Sequence, residues 1–449
     1  MGDIKLRKTL YFVLARLRGQ SWPQFYERFL REDQDGIPPD TTKKLLIQML
    51  AHCEQAVPYY AEVIGNLGDS FYEDPEQYLR RFPILTKDTI RSRFDDLKSV
   101  DLPRRKWYFN TSGGSTGEPV RFIQDREYAD RSGAIKMLYS KWVGREIGET
   151  EVRLWGSERD ILQGSKGWKA TLANRLANRM FLNAFRMTPE KMRESIAVLN
   201  AKRPKLIVAY VQAIYELARF AEREGLKVVP QAAIMTSAGT LYPFMREKIQ
   251  TVFQCKVFNR YGSREVGDIA CERPGYEGLR IAPWGNYVEI VDNEGNPVPD
   301  GTEGNILVTS LTNFAMPLIR YQIGDRGVLS ARKNSAQGGY GQVLERVLGR
   351  TVDTFKTKNG TLIDGEYFTH LLYFRDWVWR FQVVQESHSS IVFKIVKSEL
   401  DYQQAELEEI TTKAKLIMGD DCTVAFEFVD EILSGDSGKY RYTISEIQD

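Results

Sequence analysis

The run Thr111-Ser112-Gly113-Gly114-Ser115-Thr116-Gly117-Glu118-Pro119 places hydroxyl and glycine residues side by side and closes on a proline. Such a run offers backbone N–H groups and hydroxyls with almost no side-chain bulk, which is what a loop wrapping phosphate oxygens requires. Two common phosphate loops are excluded. A Walker loop needs Gly-Lys-Ser/Thr, and here Glu118 and Pro119 follow Gly117. A dinucleotide fingerprint needs spaced glycines, and here Gly113 and Gly114 are adjacent. Alone, the run is equally a plain Ser/Gly loop. Four more segments carry chemistry-bearing residues. Tyr261-Gly262-Ser263-Arg264-Glu265 offers an aromatic face, a tight turn and a carboxylate. Arg320–Asp325 ends in Gly324-Asp325, Gly349-Arg350 precedes Thr351-Val352-Asp353, and Ser437-Gly438-Lys439 lies near the end of the chain. Taken singly, each also reads as a turn, a linker or a solvated charge.

The elements that must hold these residues follow from periodicity. Residues 1–102 read as mostly helical, with Leu45, Leu46, Met49, Leu50 and Cys53 at helical spacing in Thr41–Ala56. Tyr128–Val143 and Pro189–Leu199 are further expected helices. From Leu206 to Ile269, strands and helices alternate: strand Leu206–Val211, helix Ala213–Glu224, strand Val228–Met235, helix Leu241–Phe253, strand Lys256–Phe258. Alternation of this kind implies an α/β (mixed α+β) fold, its sheet flanked by helices, with functional loops at the carboxyl ends of strands. Thr236–Thr240 and Asn259–Glu265 fall there. Val288–Val291 and Asn305–Thr309 read as antiparallel strands. A small α+β domain is expected at 354–449, after a large domain at 1–348 and a hinge at 349–353. Within it, Thr354–Ile363 reads as a hairpin with Asn359-Gly360 at its tip, and Asp401 as the cap of a helix whose stripe is Leu407, Ile410, Ala414 and Ile417.

The 449 residues carry 62 Lys+Arg against 60 Asp+Glu, a balance that argues against a dedicated nucleic-acid binder. Cys53, Cys255, Cys271 and Cys422 form no CxxC pair and read as thiols of a reducing cytosol, so a cytoplasmic protein is expected. No stretch reaches the length of a membrane span, and the segment Thr9–Ala15 reads as part of an amphipathic helix.

The joint order of these segments resembles the adenylate-forming superfamily, and within it the branch of phenylacetate–CoA ligase, coenzyme F390 synthetase and the CapK-type proteins of polysaccharide loci. The resemblance runs from Ala56-Val57-Pro58-Tyr59-Tyr60 through Tyr261–Glu265 and Asn313–Asp325 to Arg350 and Lys439. It implies an enzyme that uses ATP and Mg²⁺ to convert a small carboxylic acid to an acyl-adenylate with loss of pyrophosphate, then passes the acyl group to an acceptor, with coenzyme A first. It also implies alternatives: an amide-forming ligase, an AMP transferase, or a nucleotide-binding protein without turnover. In this resemblance Thr111, Ser112, Gly113, Gly114, Ser115, Thr116 and Gly117 hold the β- and γ-phosphates, and Glu265 binds Mg²⁺. Lys439 brings a point charge to the α-phosphate and Arg350 adds a planar fork. Asp325 accepts ribose hydroxyls and Tyr261 stacks on adenine beside Asn259, Arg260, Gly262, Ser263 and Arg264. Ser237, Ala238, Gly239 and Thr240 lie under the purine, and Trp155, Gly156, Tyr210 and Ala238 line the acid. Rotation about Val352 or Asp353 separates the two half-reactions.

Departures are informative. Arg264 stands where Thr is usual before the metal-binding Glu, and Arg121 is the nearest cation after the glycine loop, in place of a lysine. Related chains hold a zinc through a Cys-x-Cys-Gly segment. Here 334–341 has no cysteine, Arg280 stands where a His is expected, and Cys271 alone cannot make a tetrahedral site, so no structural zinc is expected.

Overall fold

The computed structural model describes residues 2–65, 68, 72–112, 120–155, 168–184, 189–330, 341–350, 354–372, 375, 377–397, 400–432 and 443–447. The first six helices are α1 (Gly2–Leu17), α2 (Trp22–Asp35), α3 (Thr41–Ala56), α4 (Pro58–Ile64), α5 (Pro75–Leu79) and α6 (Lys87–Ser92). The hairpin β1 (Trp107–Thr111) and β2 (Arg121–Asp125) follows, then α7 (Arg126–Trp142). An alternating region comes next: β3 (Glu151–Trp155), α8 (Trp168–Leu176), β4 (Arg179–Asn183), α9 (Pro189–Lys202), β5 (Leu206–Tyr210), α10 (Val211–Arg223), β6 (Ala233–Ser237) and α11 (Pro243–Phe253). Strands β7 (Lys256–Ser263), β8 (Gly267–Glu272), β9 (Leu279–Ile281), β10 (Asn286–Val291), β11 (Glu303–Ser310), β12 (Tyr321–Leu329) and β13 (Val343–Arg350) complete the larger part.

Ten of these strands join β13 in one sheet, ordered β10-β11-β12-β13-β9-β8-β7-β6-β5-β3-β4. Strands β4, β3, β5, β6 and β7 run parallel, so their carboxyl ends share one edge; β7 then pairs antiparallel with β8. Ile207, Ile234 and Leu206 are wholly buried, as expected of strands covered on both faces. On one face Phe12, Trp22, Tyr26 and Phe29 of α1 and α2, with Ala134 and Leu138 of α7, pack on Val208, Met235 and Phe258. The fold class is α/β with large sheets and flanking helices, as expected from the alternation. Among the described residues no helix is long and apolar enough to cross a membrane.

The chain divides into two compact units. The second comprises 347–449 together with Gly324–Arg326. Its described elements are β14 (Thr354–Lys356), β15 (Leu362–Asp364), α12 (Glu366–Leu372), β16 (Val378–Ser387), β17 (Ser390–Lys397), α13 (Gln404–Met418), β18 (Thr423–Phe428) and β19 (Thr443–Ser445). β14 and β15 form a hairpin whose turn brings Gly360 to φ +81°, and β18-β17-β16-β19 form a second sheet. Phe355, Phe368, Phe393, Ile410 and Ala414 are wholly buried in this unit. The expected pivot, Val352 or Asp353, lies outside the described residues.

Three local expectations are corrected. The strand expected at Val228–Met235 is only Ala233–Ser237, because Pro230 has no N–H to give a central strand. The cap of α13 is Gln403, whose side chain and that of Glu406 close a reciprocal capping box, while Asp401 accepts from Lys397 Nζ at 3.3 Å. Met418 rather than Ile417 completes the buried stripe.

Candidate active site

The glycine run connects β1 to β2. These strands pair antiparallel from Trp107 opposite Asp125 to Thr111 opposite Arg121. Ser112 N–H donates to Val120 O at 2.9 Å, and Val120 N–H donates back to Ser112 Oγ at 2.9 Å. Ser112 is buried, so its hydroxyl pins the neck of the loop. Arg121, the nearest cation, lies 4.1 Å from the ring centroid of Phe109. Gly113, Gly114, Ser115, Thr116 and Gly117 lie outside the described residues. Thr111 ends β1, and its N–H donates to Asn110 Oδ1 at 2.9 Å.

A buried amide fastens the hairpin to the Arg264–Glu265 turn. Gln124 of β2 is 1 % exposed. Its Oε1 accepts from Asn110 Nδ2 at 2.9 Å, and its Nε2 donates to Arg264 O at 2.8 Å and Glu265 O at 3.1 Å. The loop neck and the expected metal-binding residue are thereby tied through one buried amide. Asn313 holds the next residues of β2: its Nδ2 donates to Ile123 O at 2.8 Å and Met316 O at 2.9 Å, and its Oδ1 accepts from Asp125 N–H at 3.3 Å. Asp125 then caps α7, accepting from Tyr128 N–H at 2.8 Å.

Asn259–Glu265 is not the strand-end loop expected from sequence. β7 continues to Ser263 and pairs with β8, with an irregularity in register between Tyr261 and Gly262; only Arg264–Val266 turn. Gly262 is demanded by this pairing, since a Cβ there would sit 2.5 Å from Gly267 O. Ser263 Oγ accepts from Val266 N–H, Arg264 is exposed and Tyr261 half-buried. Glu265 is buried, and Tyr321 Oη donates to its Oε1 at 3.2 Å. A carboxylate fixed at both its side chain and its backbone suits a hard divalent cation. Among the described residues no group of three His, Cys, Asp or Glu is placed to hold a metal ion. This donor set therefore fits Mg²⁺ held by one carboxylate and the phosphates of a nucleotide, which is how Mg²⁺ is commonly bound, and would not by itself cage a metal.

Along the carboxyl edge, register lines up the remaining residues. Leu154 is opposite Ala209, Tyr210 opposite Ser237 and Thr236 opposite Asn259. Trp155 and Tyr210, at the ends of β3 and β5, meet with ring centroids 4.2 Å apart. After β6, Ala238 takes φ +53° and Gly239 φ +150°, a turn that presents Ala238 to solvent and leaves Thr240 half-buried. Left-handed backbone at a non-glycine residue costs about 1 kcal/mol and clusters at functional turns. Asn259 N–H donates to Glu272 Oε2 at 2.8 Å. Arg260 is buried, its Nε 3.5 Å from Asp268 Oδ1.

Asp325 lies half-buried on β12, after Gly324 at φ +92°. Arg350 ends β13, and its side chain lies outside the described residues, as do Gly156 and Lys439. Cys271 is buried in β8 opposite Arg280, whose guanidinium lies 3.8 Å from the Tyr276 ring centroid. Sequence reasoning missed Gln124, Asn110, Asn313 and Tyr321, which position the site. Asn313 and Tyr321 lay within the Asn313–Asp325 segment that carried the resemblance; Gln124 carried no signal.

Residues 355–446 match the CapK C-terminal domain family. Over 397 residues the chain is 25% identical to Protein CapK of Staphylococcus aureus, covering 87% of this chain and 85% of that one. It is 24% identical over 291 residues to the phenylacetate-coenzyme A ligase of Escherichia coli (strain K12), covering 62% and 63%. Among solved structures, 2-hydroxyisobutyryl-CoA ligase in the postadenylation state with 2-HIB-AMP shares the fold at TM-score 0.60 and 18% identity, over 92% of this chain and 91% of that one. The same ligase in its thioesterification state with 2-HIB-AMP and CoA gives 0.58, with 91% of both chains covered.

Proposed function

We propose that this chain, which belongs to the adenylate-forming superfamily and is an acyl-adenylate-forming ligase, activates a small carboxylic acid with ATP and passes the acyl group to coenzyme A. The observation that carries this reading is the buried Gln124 bridge, which couples the neck of the phosphate-type loop to Glu265. A phosphate loop and a metal carboxylate need a fixed mutual geometry only if they serve the same polyphosphate.

In the first half-reaction an oxygen of the acid carboxylate attacks the α-phosphorus, the bond to the bridging oxygen breaks, and pyrophosphate leaves. Residues 111–117 hold the β- and γ-phosphates through N–H groups and hydroxyls, with Ser112 closing the neck. Mg²⁺, when bound, neutralises the phosphate oxygens, and Glu265 would hold it. Lys439 places its ammonium at the α-phosphate and the acid oxygens, where charge builds in the transition state. Arg350 adds a donor fork, and Asp325 accepts the ribose hydroxyls. Tyr261 stacks on the purine, with Asn259 beside it and Ser237–Thr240 beneath. Trp155, Tyr210 and Ala238 meet the acid. In the second half-reaction the thiol sulfur attacks the acyl carbonyl and AMP departs. The small domain turns about 349–353 between the steps, so that Lys439 withdraws.

A second reading changes the acceptor alone, with an amine or hydroxyl in place of the thiol. Acid-dependent exchange of labelled pyrophosphate into ATP tests the first step. Lys439→Ala should lower it by roughly two to three orders of magnitude, the effect of losing one transition-state donor; an unchanged rate would remove Lys439 from the mechanism. Mass spectrometry of the product after adding coenzyme A separates thioester from amide or ester.

A further inference from the structure

Five basic side chains gather behind the Trp155–Tyr210 pair, and Glu151 and Asp268 form ion pairs with them. Glu151, wholly buried at the start of β3, takes three: Arg145 Nη1 lies 2.8 Å from its Oε2, and Arg153 Nε and Arg179 Nε lie 2.5 and 2.7 Å from its Oε1. Strand alternation puts Glu151, Arg153 and Trp155 on one face, and parallel register sets Arg179 opposite Glu151. Asp268 takes the other two, Arg260 Nε at 3.5 Å and Lys136 Nζ of α7 at 4.0 Å. Arg260 lies 5.9 Å from the Trp155 ring centroid, which joins this cluster to the expected acid-binding residues.

The cluster is undercharged on its acidic side. With one unit of charge on each group, and Glu149 also acting on Arg145, two positive charges remain in excess. Among the described residues Arg260 Nε and Arg179 Nη2 are buried with no hydrogen-bond acceptor, while Asp268 Oδ2 and Glu151 Oε2 are buried with no hydrogen-bond donor, so the mismatch is one of geometry as well as charge. A buried guanidinium N–H without an acceptor is costly and is ordinarily relieved by a carboxylate or phosphate. The cluster is also reachable: Lys136 leaves 39 % of its side chain open, although it sits among these charges. Asp268 raises the Lys136 pKa, but burial and the charges of Arg260, Arg153 and Arg179 together pull it below the ordinary lysine range. A partly exposed lysine whose surroundings are net positive is a place where an anion gains.

We propose that the acid activated by this enzyme carries a second anionic group, a carboxylate or a phosphate-type group, held by Lys136 and Arg260 while the first carboxylate reacts. This rests on the ligase reading in assigning the occupant to the acid. The second anion supplies binding and orientation and takes no part in bond making.

Thermal-shift titrations of the full chain, with a non-hydrolysable ATP analogue present, test it with three acids: glutarate, 3-phosphonopropionate and valerate. At least one dianion should bind about ten-fold or more tightly than valerate, as expected of a charge-assisted contact. The tighter of the two names the anion. Lys136→Met should remove most of that preference while leaving valerate unchanged, and Lys136→Arg should restore it. Valerate binding as tightly as both dianions, or Lys136→Met weakening all three acids alike, overturns the inference. Pyrophosphate exchange run alongside separates the two claims. Dianion preference without exchange for any acid would sink the ligase reading and leave the anion site standing. Exchange with monocarboxylates in preference to dicarboxylates would do the reverse.

Discussion

Replacing Gln124 by Leu removes the bridge between the loop neck and Glu265 at nearly constant volume. The substitution deletes two donor bonds, to Arg264 O at 2.8 Å and Glu265 O at 3.1 Å, and the acceptor of Asn110 Nδ2 at 2.9 Å. Gln124 is 1 % exposed, so water cannot easily replace what is lost. Leaving a buried polar group without a partner costs about 1–3 kcal/mol. Two carbonyls and one amide at the low end of that range, less the favourable burial of the leucine methyl groups, give about 2–4 kcal/mol. For a unit of this size each kcal/mol lowers the melting temperature by about 2 °C, so a fall of about 4–8 °C is expected. The effect on function should exceed the effect on folding. Freed backbone at Arg264–Glu265 lets the carboxylate wander from its place beside Tyr321 Oη, and the loop neck loses its reference point. Pyrophosphate exchange measured against Mg²⁺ concentration well below the melting temperature should show about ten-fold lower kcat/KM for ATP and a raised Mg²⁺ requirement, consistent with loss of an outer-shell partner. A variant that melts 4–8 °C lower but keeps the original Mg²⁺ dependence and exchange rate would refute the coupling and leave Gln124 a packing residue.

Gly262→Ala would place a methyl group 2.5 Å from Gly267 O, so β7 and β8 should separate locally; calorimetry should show a loss of about 1–3 kcal/mol, with weaker ATP binding through Tyr261. Ser115→Ala combined with Thr116→Ala should raise the KM for ATP before it alters acid selectivity; the reverse pattern, read from exchange with an acid panel, would move the loop to the acid pocket. In the second unit, burial would raise the Glu409 pKa, but Lys413 and Arg375 at 2.9 Å outweigh it and hold the carboxyl at about 2. Its folded-state pKa lies below its unfolded one, so its contribution is complete above the ordinary Glu range and is lost as pH falls toward 2. Glu409→Gln should therefore cost about 1 kcal/mol at pH 7, given its partial exposure, and flatten the acid-unfolding curve between about pH 4.5 and 2, checked by urea melts across that range.

How far the sequence reaches depends on whether a signal is local. Thr41–Ala56 was legible to the residue because Leu45, Met49 and Cys53 repeat along one face and Pro58 stops the chain. The hairpin tip at Asn359-Gly360 was legible because a left-handed position selects glycine. Asp401 misled because an acidic residue three before Gln404 satisfies the same pattern that Gln403 and Glu406 complete in the folded chain. The extent of β7 was hidden by Gly262. A glycine beside a serine reads as a turn, yet here it makes room for the backbone of β8, a partner that no window around Gly262 reveals. Gln124 is the extreme case. Nothing in Arg121–Asp125 distinguishes an inward amide from any polar strand residue, and its acceptors lie 140 residues away in sequence.

The Gln124 bridge also orders the proposed chemistry in time. Gln124, Asn313, Tyr321 and Glu265 all belong to the first unit, so the neck of the loop and the metal carboxylate are preset relative to each other by bonds within that unit. Lys439, by contrast, follows the expected hinge at 349–353 in the sequence. In the proposed cycle, presetting Glu265 against the loop neck is then a property of the first unit, and completing the transition state falls to Lys439. The two kinds of variant should therefore fail differently. Loss of Gln124 should weaken ATP and Mg²⁺ use in the adenylation step and leave transfer from a preformed acyl-adenylate untouched. Loss of Lys439 should leave ATP binding near normal and slow only the bond-making at the α-phosphorus. Presetting Glu265 against the loop neck would also serve the reverse direction, since exchange begins with pyrophosphate entering before the acyl-adenylate is attacked.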